Sequence, residues 1–189
     1  MIITNSRLPK YVGWGAFAIY LVTLFRHALE VSPDNYVAAN ALGKAYERAG
    51  DAARALVAYR GAVEIEPQFP SSQFNLAMTL LELGDEAGGL EHLQIAAKLE
   101  PKNPDIQFDL GIFFGRHADW AGAVNAFSNT IALRPGLAGA HANLAGALAS
   151  QENFPAAAVH FREALRLEPE LAPAQSGLKK LLTEHPELR

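Results

Sequence analysis

The side chains able to do chemistry are few in this chain and poorly spaced for it. Histidines stand at His27, His92, His117, His141, His160 and His185. HExxH and HxxxH spacings, which put two ligands on one helix face, are absent. His117 and Asp119 are neighbours at an expected turn, where facing solvent is the default. His92 and His160 lie 68 residues apart. No serine or threonine has the context of a nucleophile elbow, and no glycine-rich phosphate loop follows a strand pattern. There is no cysteine. Thiolate catalysis, disulfides, zinc-thiolate sites and c-type haem attachment are therefore excluded. Formal net charge is -4, without the clustered Lys and Arg that a nucleic-acid backbone requires. The expectation is a non-enzyme with no cofactor, no metal and no nucleic-acid partner, so function has to come from surfaces.

Those surfaces are set by a repeat. Pro33, Pro67, Pro101, Pro135 and Pro169 are spaced 34 residues apart. Other positions keep the same interval: Leu42, Leu76, Leu110 and Leu144, then Tyr46, Leu80, Phe114 and Leu148. Tyr59, Leu93, Phe127 and Phe161 follow it too, as do Asp51, Asp85, Asp119 and Asn153. Half the residues are apolar, ample for a packed core. Within each unit, apolar residues three and four apart predict two helices. In the first, Ala39, Leu42, Gly43 and Tyr46 share one face; in the second, Ala55, Tyr59, Ala62 and Val63 do. Gly50-Asp51 predicts the turn between them, and proline ends the second helix by forcing the residue before it out of the α region.

On these residues the chain resembles the tetratricopeptide repeat family, closely over residues 36–170 and as a half repeat before Pro33. The resemblance implies an all-α, right-handed helical-hairpin solenoid. The expected division is an apolar N-terminal segment at 1–27, repeats over 28–171 and a capping helix at 172–189. The repeats comprise a half repeat to 35 and full repeats at 36–69, 70–103, 104–137 and 138–171. Two departures stand out. Gly89 occupies a position where the family prefers alanine, through drift or through close approach of a neighbouring chain. Ala118 replaces the turn glycine of Gly50 and Gly84, so that turn is expected to differ.

The resemblance also implies that the first helix of each repeat, helix A, lines a concave ligand-binding face. The positions it implies include Val37, Asn40 and Lys44, then Ser71, then Asp105. Phe74, Met78, Leu81, Phe108 and Ile112 are the candidate partner-binding residues, because they form a second apolar stripe apart from Leu76 and Leu80. Either they form a groove for an apolar segment, or they are ordinary contacts inside the superhelix. A carboxylate clamp of the chaperone-binding kind is not expected, since Asp105 and Asp109 stand where that subclass has cations.

Residues 11–25 are uncharged, with Tyr11 and Trp14 at the start and Lys10 and Arg26 at the two ends. A cleaved signal peptide, a membrane-inserted helix and a helix packed on the solenoid or on a neighbouring subunit all remain open. Leu21, Phe25, Ala28 and Val31 fit the second helix of a repeat. The expected function is a protein-protein interaction scaffold, a small subunit or assembly factor of a membrane-associated complex, with possible lipid contact through 11–25. The side of the membrane is left undetermined. The alternative is a soluble adaptor or co-chaperone that takes peptide segments in the concave groove.

Overall fold

A computed structural model describes the backbone of residues 10–188 and the side chains of residues 19–188. Ten α-helices occupy this stretch: α1 Lys10–Val31, α2 Tyr36–Arg48, α3 Ala52–Ile65, α4 Pro70–Glu82, α5 Glu86–Leu99, α6 Pro104–Arg116, α7 Trp120–Leu133, α8 Ala138–Ser150, α9 Phe154–Leu167 and α10 Ala172–Glu184. A short 3-10 helix, Pro186–Leu188, follows. No strand occurs among the described residues. The chain forms two compact units, residues 1–99 with α1–α5 and residues 100–189 with α6–α10. Each is a stack of helix hairpins.

Every second helix of a repeat stops two residues short of its proline: Val31, Ile65, Leu99, Leu133 and Leu167. Helix A ends in the same way each time. The N–H of Asp51 donates to Tyr46 O, Asp85 to Leu80 O, Asp119 to Phe114 O and Asn153 to Leu148 O, all at 2.9 Å. With the shorter bond one residue earlier, this is a Schellman closure, which requires a left-handed residue after the helix. Gly50 and Gly84 supply it at φ +74° and +85°. Ala118 and Glu152 adopt it too, at φ +56° and +61°. The expected difference at Ala118 is therefore absent. The closing hydrogen bonds and the aspartate that follows outweigh the steric cost of a Cβ in that conformation. That aspartate or asparagine then caps the next helix: Asp51 accepts from Arg54 N, Asp85 from Gly88 N, Asp119 from Gly122 N and Asn153 from Ala156 N.

The small positions pack as their types require. Ala55, Ala123, Ala157 and Ala164 are all 0% exposed. At Gly43 and Gly111 an added Cβ would run into the Tyr59 and Phe127 rings respectively. At Gly89 it would meet Leu81 Cγ at 2.5 Å and the Ala77 carbonyl at 3.2 Å. The close approach at Gly89 thus comes from Leu81 of the same hairpin, which fills the space alanine takes elsewhere.

In the first unit, Val22, Phe25 and Leu29 of α1 pack against the cluster of Leu42, Tyr46, Tyr59, Leu76 and Leu80. This part of α1 is a solenoid helix. Val31, which fits the same register, is 73% exposed. Among the described residues no helix is long and apolar enough to cross a membrane. The side chains of 11–18, including Tyr11 and Trp14, lie outside the described residues.

Candidate functional site

The five candidate residues divide between the two units. In the first, Phe74, Met78 and Leu81 are half-buried along α4. Leu81 is engaged over Gly89. Beside them Asn75 Nδ2 donates to Asn40 Oδ1 at 2.8 Å, with Asn40 buried. These two side chains engage each other.

In the second unit, Phe108 and Ile112 are half-buried on α6. Phe108 sets its edge against Phe127, with centroids 5.7 Å apart at 62°, and so shares the core. Ile112 packs against the same core cluster and also lines a hollow of about 300 Å³ with Gly115, Trp120, Asn143 and Gly146. A second hollow, about 370 Å³, begins at Gly146 and runs past Phe154 and Gly177 to Lys180 and Glu184. Glycine at 115 and 146 leaves room beside Ile112 that larger side chains would fill. One turn before Ile112, Asp109 is half-buried, with no hydrogen-bond or ion-pair partner among the described residues. Burial first, then the nearby Asp105 carboxylate, push its carboxyl up to about 6. Asp105 itself is held by Arg134 at 2.8 Å. Of the two expected acidic groups, Asp109 is the one left to meet a ligand.

Two further surfaces are present, the first not singled out from the sequence and the second within the uncharged run 11–25. A largely apolar hollow of about 450 Å³ lies among α1, α2 and α3, with Leu29, Leu42, Tyr46, Val57 and Ile65 in its walls and Arg26 among its lining residues. On α1, Ile19, Tyr20 and Leu24 are 69%, 62% and 46% exposed. Tyr20 and Leu24, four residues apart, share a face with Ile19 at its margin, and exposed apolar groups on one side of a helix mark contact surfaces.

One histidine takes part in the way helix A begins. Helix A begins with an asparagine cap in two repeats, where Asn35 accepts from Ala38 N and Asn103 from Asp105 N. At α4, α8 and α10 the cap residue is Phe69, Leu137 or Leu171, with no capping bond. In those helices the residue four further on reaches back to the repeat proline. Gln73 Nε2 donates to Pro67 O at 2.8 Å, Gln175 Nε2 to Pro169 O at 2.8 Å, and His141 Nε2 to Pro135 O at 3.1 Å. His141 Nδ1 then faces His160 Nδ1 at 3.1 Å. In the second repeat the corresponding contact is His92 Nδ1 to Gln73 Oε1, 2.7 Å. Position six after the proline was the available signal, but it reads as ordinary polar variation until the reach-back bond is seen. Among the described residues no group of three or more His, Asp or Glu is placed to hold a metal ion.

Stacked antiparallel hairpins with a 34-residue register, a Schellman turn and small residues at each crossing define a helical repeat protein. The tetratricopeptide repeat model matches residues 22–72 and 114–173, more than half of the chain. The chain belongs to the tetratricopeptide repeat family. Among solved structures it is similar to YrrB, described as a TPR protein with an unusual peptide-binding site. The identity is 20%, covering 88% of this chain and 90% of that one, with a TM-score of 0.75. It is similar to MamA from Desulfovibrio magneticus RS-1 at 17% identity, 89% and 87% coverage and a TM-score of 0.73. It is also similar to PilF of Pseudomonas aeruginosa at 21% identity, 80% and 69% coverage and a TM-score of 0.69. At these identities the likeness concerns the fold. Among curated proteins, none matches this chain.

Proposed function

We propose that this protein is a non-catalytic scaffold that holds a partner protein on the helix A face of its second unit, as a small subunit or assembly factor of a membrane-associated complex. The observation that carries the partner site is Asp109, an unpaired half-buried carboxylate one turn from Ile112 and its hollow. A buried charge without a partner is costly. A ligand offering an apolar side chain to Ile112 and a Lys or Arg to Asp109 relieves that cost. Phe108 contributes through its outer edge only. Phe74 and Met78 are proposed as contacts within the first unit, and Leu81 through whatever area it leaves uncovered above Gly89.

Attachment to the membrane-associated complex is assigned to the outward face of α1, with lipid contact through residues 11–25 part of the same reading. What supports it is the exposure of Ile19, Tyr20 and Leu24 on a helix whose other side is already satisfied by the core. The test is fractionation of the full-length protein and of the triple variant Ile19→Ser, Tyr20→Ser, Leu24→Ser, which spares the inward Val22, Phe25 and Leu29. The wild type is expected in the membrane fraction, released by mild detergent together with its partner; the triple variant is expected in the soluble fraction. A wild type recovered as a monodisperse monomer without detergent overturns attachment and favours the second reading, a soluble adaptor taking peptide segments reversibly.

A further inference from the structure

We propose that His141 and His160 form a binding site for a borderline divalent transition cation, such as Zn²⁺ or Cu²⁺, in the fourth repeat. Two unlike helices, α8 and α9, bring their imidazole nitrogens Nδ1 to Nδ1 at 3.1 Å. Metal–imidazole bonds of about 2.0–2.1 Å place two cis nitrogens roughly 2.9–3.4 Å apart between square-planar and tetrahedral geometry. The observed separation falls inside that interval without moving either helix.

One lone pair is already presented. His141 Nε2 lies 3.1 Å from the Pro135 carbonyl, which cannot donate, so the proton of the neutral ring sits on Nε2 and Nδ1 is bare. A histidine ligand usually gives its other N–H to a carbonyl or carboxylate in this way, fixing tautomer and ring orientation. In the metal-free protein His160 Nδ1–H must be the donor to His141. On binding, that proton moves through solvent to His160 Nε2 and both Nδ1 lone pairs turn to the cation. No net proton needs to be released from the neutral pair.

Glu163 stands one turn after His160 on α9 and is held by Arg166 at 2.9 and 2.7 Å. The two imidazoles supply two ligands, and water completes the shell. Such a site prefers imidazole-seeking ions over Mg²⁺ or Ca²⁺.

The repeat supplies its own controls. His141→Gln reproduces the residue at 73, 107 and 175 and can keep the bond to Pro135. His160→Ala reproduces Ala58 and Ala126. Gln73→His should build a second imidazole pair with His92 in the second repeat. The experiment is isothermal titration of the full chain with ZnCl₂, paired with melting in ZnCl₂ or MgCl₂. The wild type is expected to bind one Zn²⁺, at least tenfold more tightly than either His141→Gln or His160→Ala, and to melt higher in Zn²⁺ but not in Mg²⁺. Gln73→His is expected to bind two. Equal Zn²⁺ affinity in wild type and both loss variants overturns the site and assigns binding to scattered surface histidines. No binding by folded wild type overturns it as well.

Discussion

Ala118 and Glu152 sit in the left-handed region that each repeat's closure demands. That conformation costs a residue with a Cβ about 1–2 kcal/mol, and glycine returns part of the gain through its freer unfolded chain. Ala118→Gly is therefore expected to raise stability by about 0.5–1 kcal/mol in urea denaturation. A lower midpoint would mean that the alanine methyl makes a contact worth more than the strain. Ala123 tests the opposite limit. It is 0% exposed, and Ala123→Leu should cost about 1–3 kcal/mol through overpacking; an unchanged melting temperature would show spare room.

The titrating groups pull stability in opposite directions. Burial is the leading cause that makes His92 and His160 less basic than the ordinary 6.5. Below 6.5 the unfolded chain binds more protons than the folded one, so their contribution is lost as pH falls from 6.5 through the folded values. Asp109 behaves inversely. Its carboxyl is raised from 3.8 to about 6, so between those values the folded state holds the extra proton, and stability falls as pH rises through this window. Asp109→Asn should melt higher than the wild type at pH 7.5 and equally at pH 3.5. Equal melting at both would show that the carboxylate is well solvated.

Among the elements, α5 depends on α4. Gly89 normally lowers helix propensity by about 1 kcal/mol relative to alanine, yet Leu81 lies where the new Cβ would go. Gly89→Ala should gain little alone and more when Leu81→Ala is present, with a coupling of at least about 0.5 kcal/mol in a double-mutant cycle. Strict additivity would place Leu81 elsewhere and return it to the binding face. The helices were legible in the sequence because their determinants are local: proline after each second helix, aspartate or asparagine at its cap, small residues at a fixed interval. The left-handed Ala118 and Glu152 were not legible, since their conformation is imposed by hydrogen bonds on either side and not by their own types. Position 141 was opaque for a related reason. Gln73, Gln175 and His141 look unrelated until their common bond to a proline carbonyl is seen. Phe108 and Ile112 were visible as an apolar stripe, but that both pack against the core while Ile112 also lines a hollow depends on contacts far apart in sequence.

At the scale of the molecule, each unit completes its own core and leaves apolar surface on specific helices. In the first unit that surface is the α1 face carrying Ile19, Tyr20 and Leu24; in the second it is the Ile112 hollow beside Asp109. A scaffold in the proposed sense needs partners at such places and nothing catalytic. The most direct measurement is quantitative recovery of the partner with full-length bait in mild detergent, comparing wild type with Ile112→Arg and with Val159→Arg, an exposed position on α9. Circular dichroism confirms that each bait is folded. The account predicts the same partner in equal amount with wild type and Val159→Arg, and less than about a tenth of it with Ile112→Arg. Full recovery with a folded Ile112→Arg bait would contradict it and move the interface away from the helix A face.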